Sequence, residues 1–371
     1  MENTIVIDNG SFMTKAGFAG DDSPLAIFPT IVGKPRHIGI MIGMGSRDRY
    51  VGDESQSKCG ILTITHPVRK GIITDWDDMQ AIWHHTFYNE LRRDPTEYFV
   101  LLTEPPLNRQ MSRLVSTEIM FEVFNIQGLS IQNTGILSLY SAEKTHGTVI
   151  LVGGDISYIV PISRDFVTLY DAVSRIDLAG NDLTLYLQIL LNQRGYSFNT
   201  TAEREIVRDI KEKLCCVSLD YQSDLKSFLN STVFDKEYEL PDGQIITIGN
   251  EVFKCPELLF RPDFPFIDCD SIQDSTYNSY MKCDQQIRND LFSDIVLSGG
   301  STMFPQFTDR LNKELNSLLN LKEMNILKHP QRDNLSWIGG SIFASLVDSE
   351  KKFVLKQEYE ENGSFIIERI R

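Results

Sequence analysis

Three glycine-marked turns, each directly after a short apolar run, are where this chain could hold a phosphate-bearing ligand. The first is Ile5-Val6-Ile7-Asp8-Asn9-Gly10-Ser11, the second Val149-Ile150-Leu151-Val152-Gly153-Gly154-Asp155, the third Ile295-Val296-Leu297-Ser298-Gly299-Gly300-Ser301-Thr302. Backbone N–H groups left free in such turns can cradle phosphate oxygens. The first two runs continue into further strand-like residues and so read as hairpins. The third continues into residues 307–319, where Leu311, Leu315, Leu318 and Leu319 keep helical spacing. Its glycines are therefore expected where a strand meets a helix start, a place whose orphan N–H groups favour an anion or a nucleotide. A Gly-Gly after a strand is also an ordinary turn. The argument rests on the equivalent places of the first two turns in what read as two copies of one strand-rich unit.

The elements that must position these turns follow from the pattern around them. A strand-rich opening runs to about Val32 and gives way to Arg36-His37-Ile38-Gly39-Ile40-Met41-Ile42-Gly43-Met44-Gly45, either a buried hairpin or an exposed adhesive loop. Helical spacing appears at Met79, Ile82, Trp83, Phe87 and Leu91, with Asp75, Asp77 and Asp78 placed to favour the helix N-terminus. His84 and His85 lack the i, i+4 pairing of a metal site and read as structural. Strand, helix and strand recur after Leu137, which suggests a duplicated α/β plan. Thr200-Thr201-Ala202-Glu203 is a capping box, and Ile206, Val207, Ile210, Leu214 and Val217 form an apolar stripe beyond it. Arg208, Lys211 and Glu212 fall off that stripe and are expected to face solvent or a ligand. Around Pro241-Asp242-Gly243 the chain reads as another hairpin.

At 371 residues, with 42% apolar content, the chain predicts two domains or more. No run approaches the roughly 20 apolar residues of a membrane span. Met1-Glu2-Asn3-Thr4 does not begin a signal peptide, so a cytosolic chain is expected. Six cysteines without a C-x-x-C pair are expected reduced and buried as small apolar residues. A net charge of −15 argues against a nucleic-acid partner and for basic protein surfaces.

Long runs of the chain resemble an actin over nearly its whole length. They include Lys15-Ala16-Gly17-Phe18-Ala19-Gly20-Asp21-Asp22, Tyr50-Val51-Gly52-Asp53-Glu54, Trp76-Asp77-Asp78-Met79, Trp83-His84-His85-Thr86-Phe87-Tyr88, residues 200–214 and 238–250, and Trp337-Ile338-Gly339-Gly340-Ser341-Ile342. The resemblance implies an α/β protein of the actin/Hsp70-type two-lobed fold, with duplicated ribonuclease-H-like cores. ATP or ADP with Mg2+ or Ca2+ is expected in the cleft between the lobes. It places an outer lobe at residues 1–135 and 335–371, carrying 30–66 as a small inserted subdomain. The inner lobe is placed at 136–334, with 179–270 inserted. Carried over by position, Asp8 resembles the family's metal-shell carboxylate, and Gly10, Ser11 and Lys15 its first phosphate loop. Gly153, Gly154 and Asp155 resemble the second loop, Arg208, Lys211 and Glu212 the nucleoside side, and Gly300, Ser301, Thr302 and Met303 the third loop. Asp8 and Asp155 are the expected metal carboxylates, and a hard cation suits such oxygen ligands.

The departures gather at the chemistry. Phe12 stands where actins carry a glycine, and its Cβ removes the freedom to adopt positive φ. The family's Asp-Ser-Gly-Asp-Gly falls on Leu151-Val152-Gly153-Gly154-Asp155. Without a gap both aspartates are lost, to Leu151 and Gly154; shifted by one residue, Asp155 restores the second, and Val152 replaces the first. One carboxylate is absent in either register. Thr134 and Tyr158 hold the places of the glutamine and histidine that position the attacking water, and neither is a strong base near neutral pH. Asp333 stands where actins have a lysine, and Lys70 where they have a histidine.

Those departures predict nucleotide binding with weak or absent hydrolysis in a divergent actin-like filament or assembly subunit of the cytoplasmic cytoskeleton. The alternative is a conventional filament-forming actin with a slow Mg-ATPase; a sugar kinase of the same superfamily lacks a candidate base. Expected partners are self or other actin-like subunits. Regulators that present amphipathic helices would use a cleft near Tyr140, Gly339, Ile342 and Leu346. Against filament growth, Asp268 and Asp270 in Pro265-Phe266-Ile267-Asp268-Cys269-Asp270 resist burial. Glu2 alone at the N-terminus and the ending Glu368-Arg369-Ile370-Arg371 also depart from the family, the former in a way expected to weaken myosin docking.

Overall fold

The apolar runs that end in the three glycine turns become the central strands of two mixed sheets in a computed structural model. It describes residues 3–36, 48–230, 235–262, 268–319, 324–346 and 352–369. In the first sheet β1 (Thr4–Asn9) pairs antiparallel with β2 (Met13–Phe18), which pairs with β3 (Ala26–Pro29). On its other side β1 runs parallel to β4 (Phe99–Glu104), and β4 parallel to β5 (Gly128–Asn133). The second sheet repeats this order. There β6 (Gly147–Val152) pairs antiparallel with β7 (Ser157–Ser163) and parallel with β8 (Asp294–Ser298), which pairs with β9 (Asn325–Leu327). Short edge strands, Val354–Leu355 on the first sheet and Val167–Thr168 and Ser174–Ile176 on the second, complete the pattern. The duplicated ribonuclease-H-like plan expected from the sequence is therefore present in strand order and direction.

Central strands covered on both faces need continuous rather than alternating apolar runs. Ile5, Val6 and Ile7 are accordingly all fully buried, as are Val149 and Ile150. On one face of the first sheet, Ile5, Ile7, Val100 and Leu102 pack with Trp83 and Met79 of α1 (Trp76–His84). In the second half Ile150, Val152, Ile295 and Leu297 pack with Leu183 of α3 (Gly180–Gln193), Val207 of α4 (Thr201–Leu214) and Leu311 of α5 (Phe307–Leu319). Between the sheets lie α2 (Thr134–Ser141), against Val149 and Val296, and α6 (Leu335–Ser345), against Val6 and Leu101. The two helices meet so closely at Gly339 that an added Cβ would lie 1.8 Å from the Leu137 carbonyl oxygen. Trp337 fixes the pair to the first sheet by donating from Nε1 to the Val6 carbonyl at 3.0 Å.

Local signals set the helix starts. The Asp75 carboxylate accepts from the Asp78 N–H at 3.0 Å and caps α1, whose winding continues at wider pitch through His85–Glu90. His85 pairs with Glu90 at 3.0 Å and packs edge-on to Phe28, the structural role expected for it. The capping box is formed: the Glu203 N–H donates to Thr200 Oγ1 at 3.2 Å and the Thr200 N–H to Glu203 Oε2 at 2.7 Å. Lys236–Glu239 and Ile245–Ile248 form the predicted hairpin, with Gly243 at a φ of 86° in its turn. No helix among the described residues is long and apolar enough to cross a membrane. All six cysteines are free.

One expectation changes and several fall outside the described residues. The third glycine turn opens into a single 3-10 turn, Gly300–Thr302, and α5 begins only at Phe307, so no α-helix starts at Gly299-Gly300. The cause is a close crossing: Gly299 adopts a φ of 95°, and a Cβ there would lie 2.3 Å from the Val152 carbonyl oxygen. Phe12 does not take the positive φ that a glycine could adopt; it is absent from the residues with positive φ. Outside the described residues lie the loop at 37–45, Pro265, Phe266 and Ile267, Glu2, and the terminal Ile370 and Arg371.

Candidate functional site

The two hairpins are built alike. Gly10 donates its N–H to the Met13 carbonyl at 3.1 Å, and Gly153 donates to Ile156 at 3.1 Å. Asp8 lies opposite Lys15 across the first hairpin, and Leu151 lies opposite Tyr158 across the second. The turns are therefore equivalent residue for residue. Leu151 stands where Asp8 stands in the other half, and Asp155 occupies the turn position of Phe12. Chain direction dictates glycine at the first turn position: a Cβ on Gly10 would approach the Met13 carbonyl to 2.7 Å.

The hairpins, the third turn and α4 enclose a cavity of about 520 Å³ between the two sheets. Of the residues singled out in the sequence, Asp8, Gly10, Ser11, Lys15, Gly153, Gly154, Asp155, Arg208, Lys211, Glu212, Gly300, Ser301 and Met303 all line it, as do Thr134 and Tyr158. Thr302 does not. It is fully buried behind the third turn, where its hydroxyl donates to the Gly299 carbonyl at 2.7 Å. An added Cβ at Gly300 meets nothing within 4 Å, so that turn presents an open cradle to the cavity.

Several polar wall residues are held by partners. Asp8 accepts from Thr103 Oγ1 at 2.6 Å through one oxygen and from Lys15 Nζ at 3.3 Å through the other. Lys15 also donates to the Asp333 carbonyl. Asp155 accepts from the Asn181 amide and, at 3.2 Å, from the Lys70 backbone N–H; the next N–H, of Gly71, donates to Ser11 Oγ at 3.1 Å. Ser301 donates to the Gly153 carbonyl at 2.8 Å and so ties the third turn to the second. Lys211, expected to face solvent or a ligand, lines the cavity yet is buried. It donates to the Gly180 carbonyl at 2.8 Å and to Thr184 Oγ1 at 2.9 Å, and burial holds its pKa below the usual lysine range. Arg208 and Glu212 remain at the cavity edge, and the Arg208 guanidinium lies over the Phe12 ring, 4.9 Å from its centroid.

Two hydroxyl-bearing residues, Thr134 and Tyr158, face the cavity. Thr134 opens α2, directly after the Asn133 side chain that caps the Gly135 N–H at 2.7 Å. Tyr158 is 1% exposed, and burial raises the pKa of its phenol, with the Arg175 guanidinium opposing and Asp177 assisting. Behind it Asp177 is paired to Arg175 at 2.9 Å and to Lys70 at 3.1 Å. Burial pushes the Asp177 carboxyl up, but those two cations outweigh it and hold its pKa below the ordinary value.

The donor set fits a hydrated cation carried by phosphate. Among the described residues no three His, Cys, Asp or Glu side chains come together as a metal cage. Mg2+ commonly takes one or two carboxylates and completes its shell with water and phosphate oxygens, which Asp8 on the cavity wall can serve. Sequence reasoning missed Thr103, which orients Asp8, and Asn181, which orients Asp155. The signal for Thr103 was available: Phe99-Val100-Leu101-Leu102 is a buried apolar run, and pairing Ile7 with Leu102 sets Thr103 beside Asp8. Asn181 had no such signal, because its place depends on α3 docking through the Gly180 and Asn181 N–H groups onto the Gly153 and Gly154 carbonyls.

Near the predicted regulator cleft, Tyr140 stacks on Phe166 with centroids 4.3 Å apart, and Leu346 is exposed. Gly339 is buried in the α2/α6 seam and belongs to packing rather than to a surface. Two sheets of the same strand order, glycine hairpins facing one another and a third glycine turn completing the cavity agree with the comparison to known families, in which the sequence matches Actin over residues 1–371. The chain belongs to the actin family.

Proposed function

We propose that this protein binds ATP or ADP, with Mg2+ or Ca2+, in the cleft between an outer lobe (1–135 and 335–371) and an inner lobe (136–334), and hydrolyses it weakly or not at all. It serves as a subunit of a filament or assembly, self-made or shared with other actin-like chains, in the cytoplasmic cytoskeleton. Ser11, Gly154 and Gly300 offer backbone N–H groups to phosphate oxygens, while the Gly10 and Gly153 N–H groups close their own hairpins; Lys15 offers charge, and Asp8 holds the cation through its water shell. A bound divalent cation would neutralise phosphate charge.

The observation that carries the reading is the wall at Thr134 and Tyr158. A threonine hydroxyl and a buried phenol kept protonated at neutral pH supply no base to an attacking water. Loss of a base or positioning group typically costs about 10² to 10⁴ in rate. Isothermal titration of nucleotide-free protein with Mg-ATP, followed by phosphate release on the same sample, tests it. Binding with little or no release is expected. Release at the rate of an ordinary actin would overturn the hydrolysis claim, and no binding heat would overturn the nucleotide claim.

A further inference from the structure

We propose that Phe12 and Arg208 clasp the two halves of the molecule, so that the cleft closes without a ligand and any occupant exchanges only when the clasp opens. Phe12 belongs to the first hairpin and Arg208 to α4 in the other half. The guanidinium lies 4.9 Å from the ring centroid, within the roughly 6 Å range of a cation–π contact. The second hairpin packs against the root of the Phe12 side chain, since a Cβ on Gly154 would lie only 2.8 Å from Phe12 Cβ. Phe12 and Gly154 are thus one complementary pair, bulk in one turn and its absence in the other.

Both members are held in place. The Phe12 carbonyl accepts from the Thr30 N–H at 2.9 Å, which pins the turn that carries the ring. Arg208 donates from Nε to Glu205 Oε2 at 2.9 Å, and its Nη2 pairs with the same oxygen at 2.9 Å. Glu205 Oε2 also accepts from Gln56 Nε2 at 2.7 Å, back in the first half. The run Phe12, Arg208, Glu205, Gln56 therefore leaves the first half, crosses to the second and returns, using protein atoms alone. A separate crossing, the Lys70–Asp177 ion pair at 3.1 Å, ties the halves behind the second hairpin. Closure so built does not depend on the nucleotide reading above; the exchange kinetics do.

The test compares the wild type with Phe12→Ala and Phe12→Tyr, each stripped of nucleotide and cation by a chelator and then given a fluorescent ATP analogue with Mg2+. In stripped protein, hydrogen exchange of residues 201–214 and of the 10–13 turn should be slow in the wild type and in Phe12→Tyr and faster in Phe12→Ala. The analogue should leave Phe12→Ala about 5- to 30-fold faster than the wild type. Equal protection in all three stripped proteins overturns the clasp. A wild type that binds no analogue while Phe12→Ala alone loses protection sinks the nucleotide reading and supports the clasp. Should Phe12→Ala fail to fold, Gln56→Ala breaks the other end of the same run. Lost protection in α4 then supports the proposal, and unchanged protection overturns it.

Discussion

Thr134 and Tyr158 both face the cavity, and the chemistry proposed for this site turns on what their oxygens can do. A threonine hydroxyl is too short to span the reach of a glutamine amide, and a phenol whose pKa is raised by burial donates rather than accepts a proton at neutral pH. The double variant Thr134→Gln, Tyr158→His should therefore raise phosphate release on the order of 10²-fold in a steady-state assay with Mg-ATP. An unchanged rate would move the bottleneck to Leu151, the apolar residue opposite Tyr158. These roles were expected from the chain's resemblance to actins and not from any spacing within the chain. The burial of Lys211 was not expected. Helical spacing puts it off the apolar stripe, yet the end of α3 reaches it with a carbonyl and a hydroxyl and takes it out of solvent.

Among the elements, the seam between α2 and α6 is the tightest contact in the molecule's centre. Its two helices carry the cavity's Thr134 at one end and pack one sheet each. Gly339→Ala would force a methyl group to 1.8 Å from a backbone oxygen that cannot swing aside. Overpacking of this kind should cost about 3 kcal/mol, read as a lower urea midpoint at unchanged m-value. A midpoint equal to the wild type's would mean that the helices slide apart freely. The matched run 337–342 flagged this glycine, but for a surface cleft. Its burial follows only once α2, distant in sequence, is laid against it. Capping boxes and hairpin turns were legible for the opposite reason: their determinants, such as Thr200 with Glu203, lie within four residues of one another.

At the scale of the whole molecule, two sheets of identical strand order share one cavity, so a ligand bound there touches both and links their stabilities. Thermal unfolding should be a single transition whose midpoint climbs with Mg-ATP. The gain in stability should approach about 2.7 kcal/mol at a hundredfold excess over Kd. A midpoint indifferent to Mg-ATP but raised by another anion would redirect the search for the ligand. The sequence by itself determined the duplicated α/β plan and the three glycine turns; the replaced carboxylate and water-positioning groups are expectations from its resemblance to actins. The plan and the turns are written in local spacing: apolar runs ending in glycine and caps three residues apart. Only the tertiary structure decided that the second hairpin matches the first residue for residue, that Thr302 turns away from the cavity and that Lys211 is buried. It alone brings Phe12 beneath Arg208. Lys211 meets Gly180 and Thr184 from a neighbouring helix, and Phe12 meets Arg208 from the other half of the chain, pairings fixed by how the elements pack and not by any short stretch of sequence.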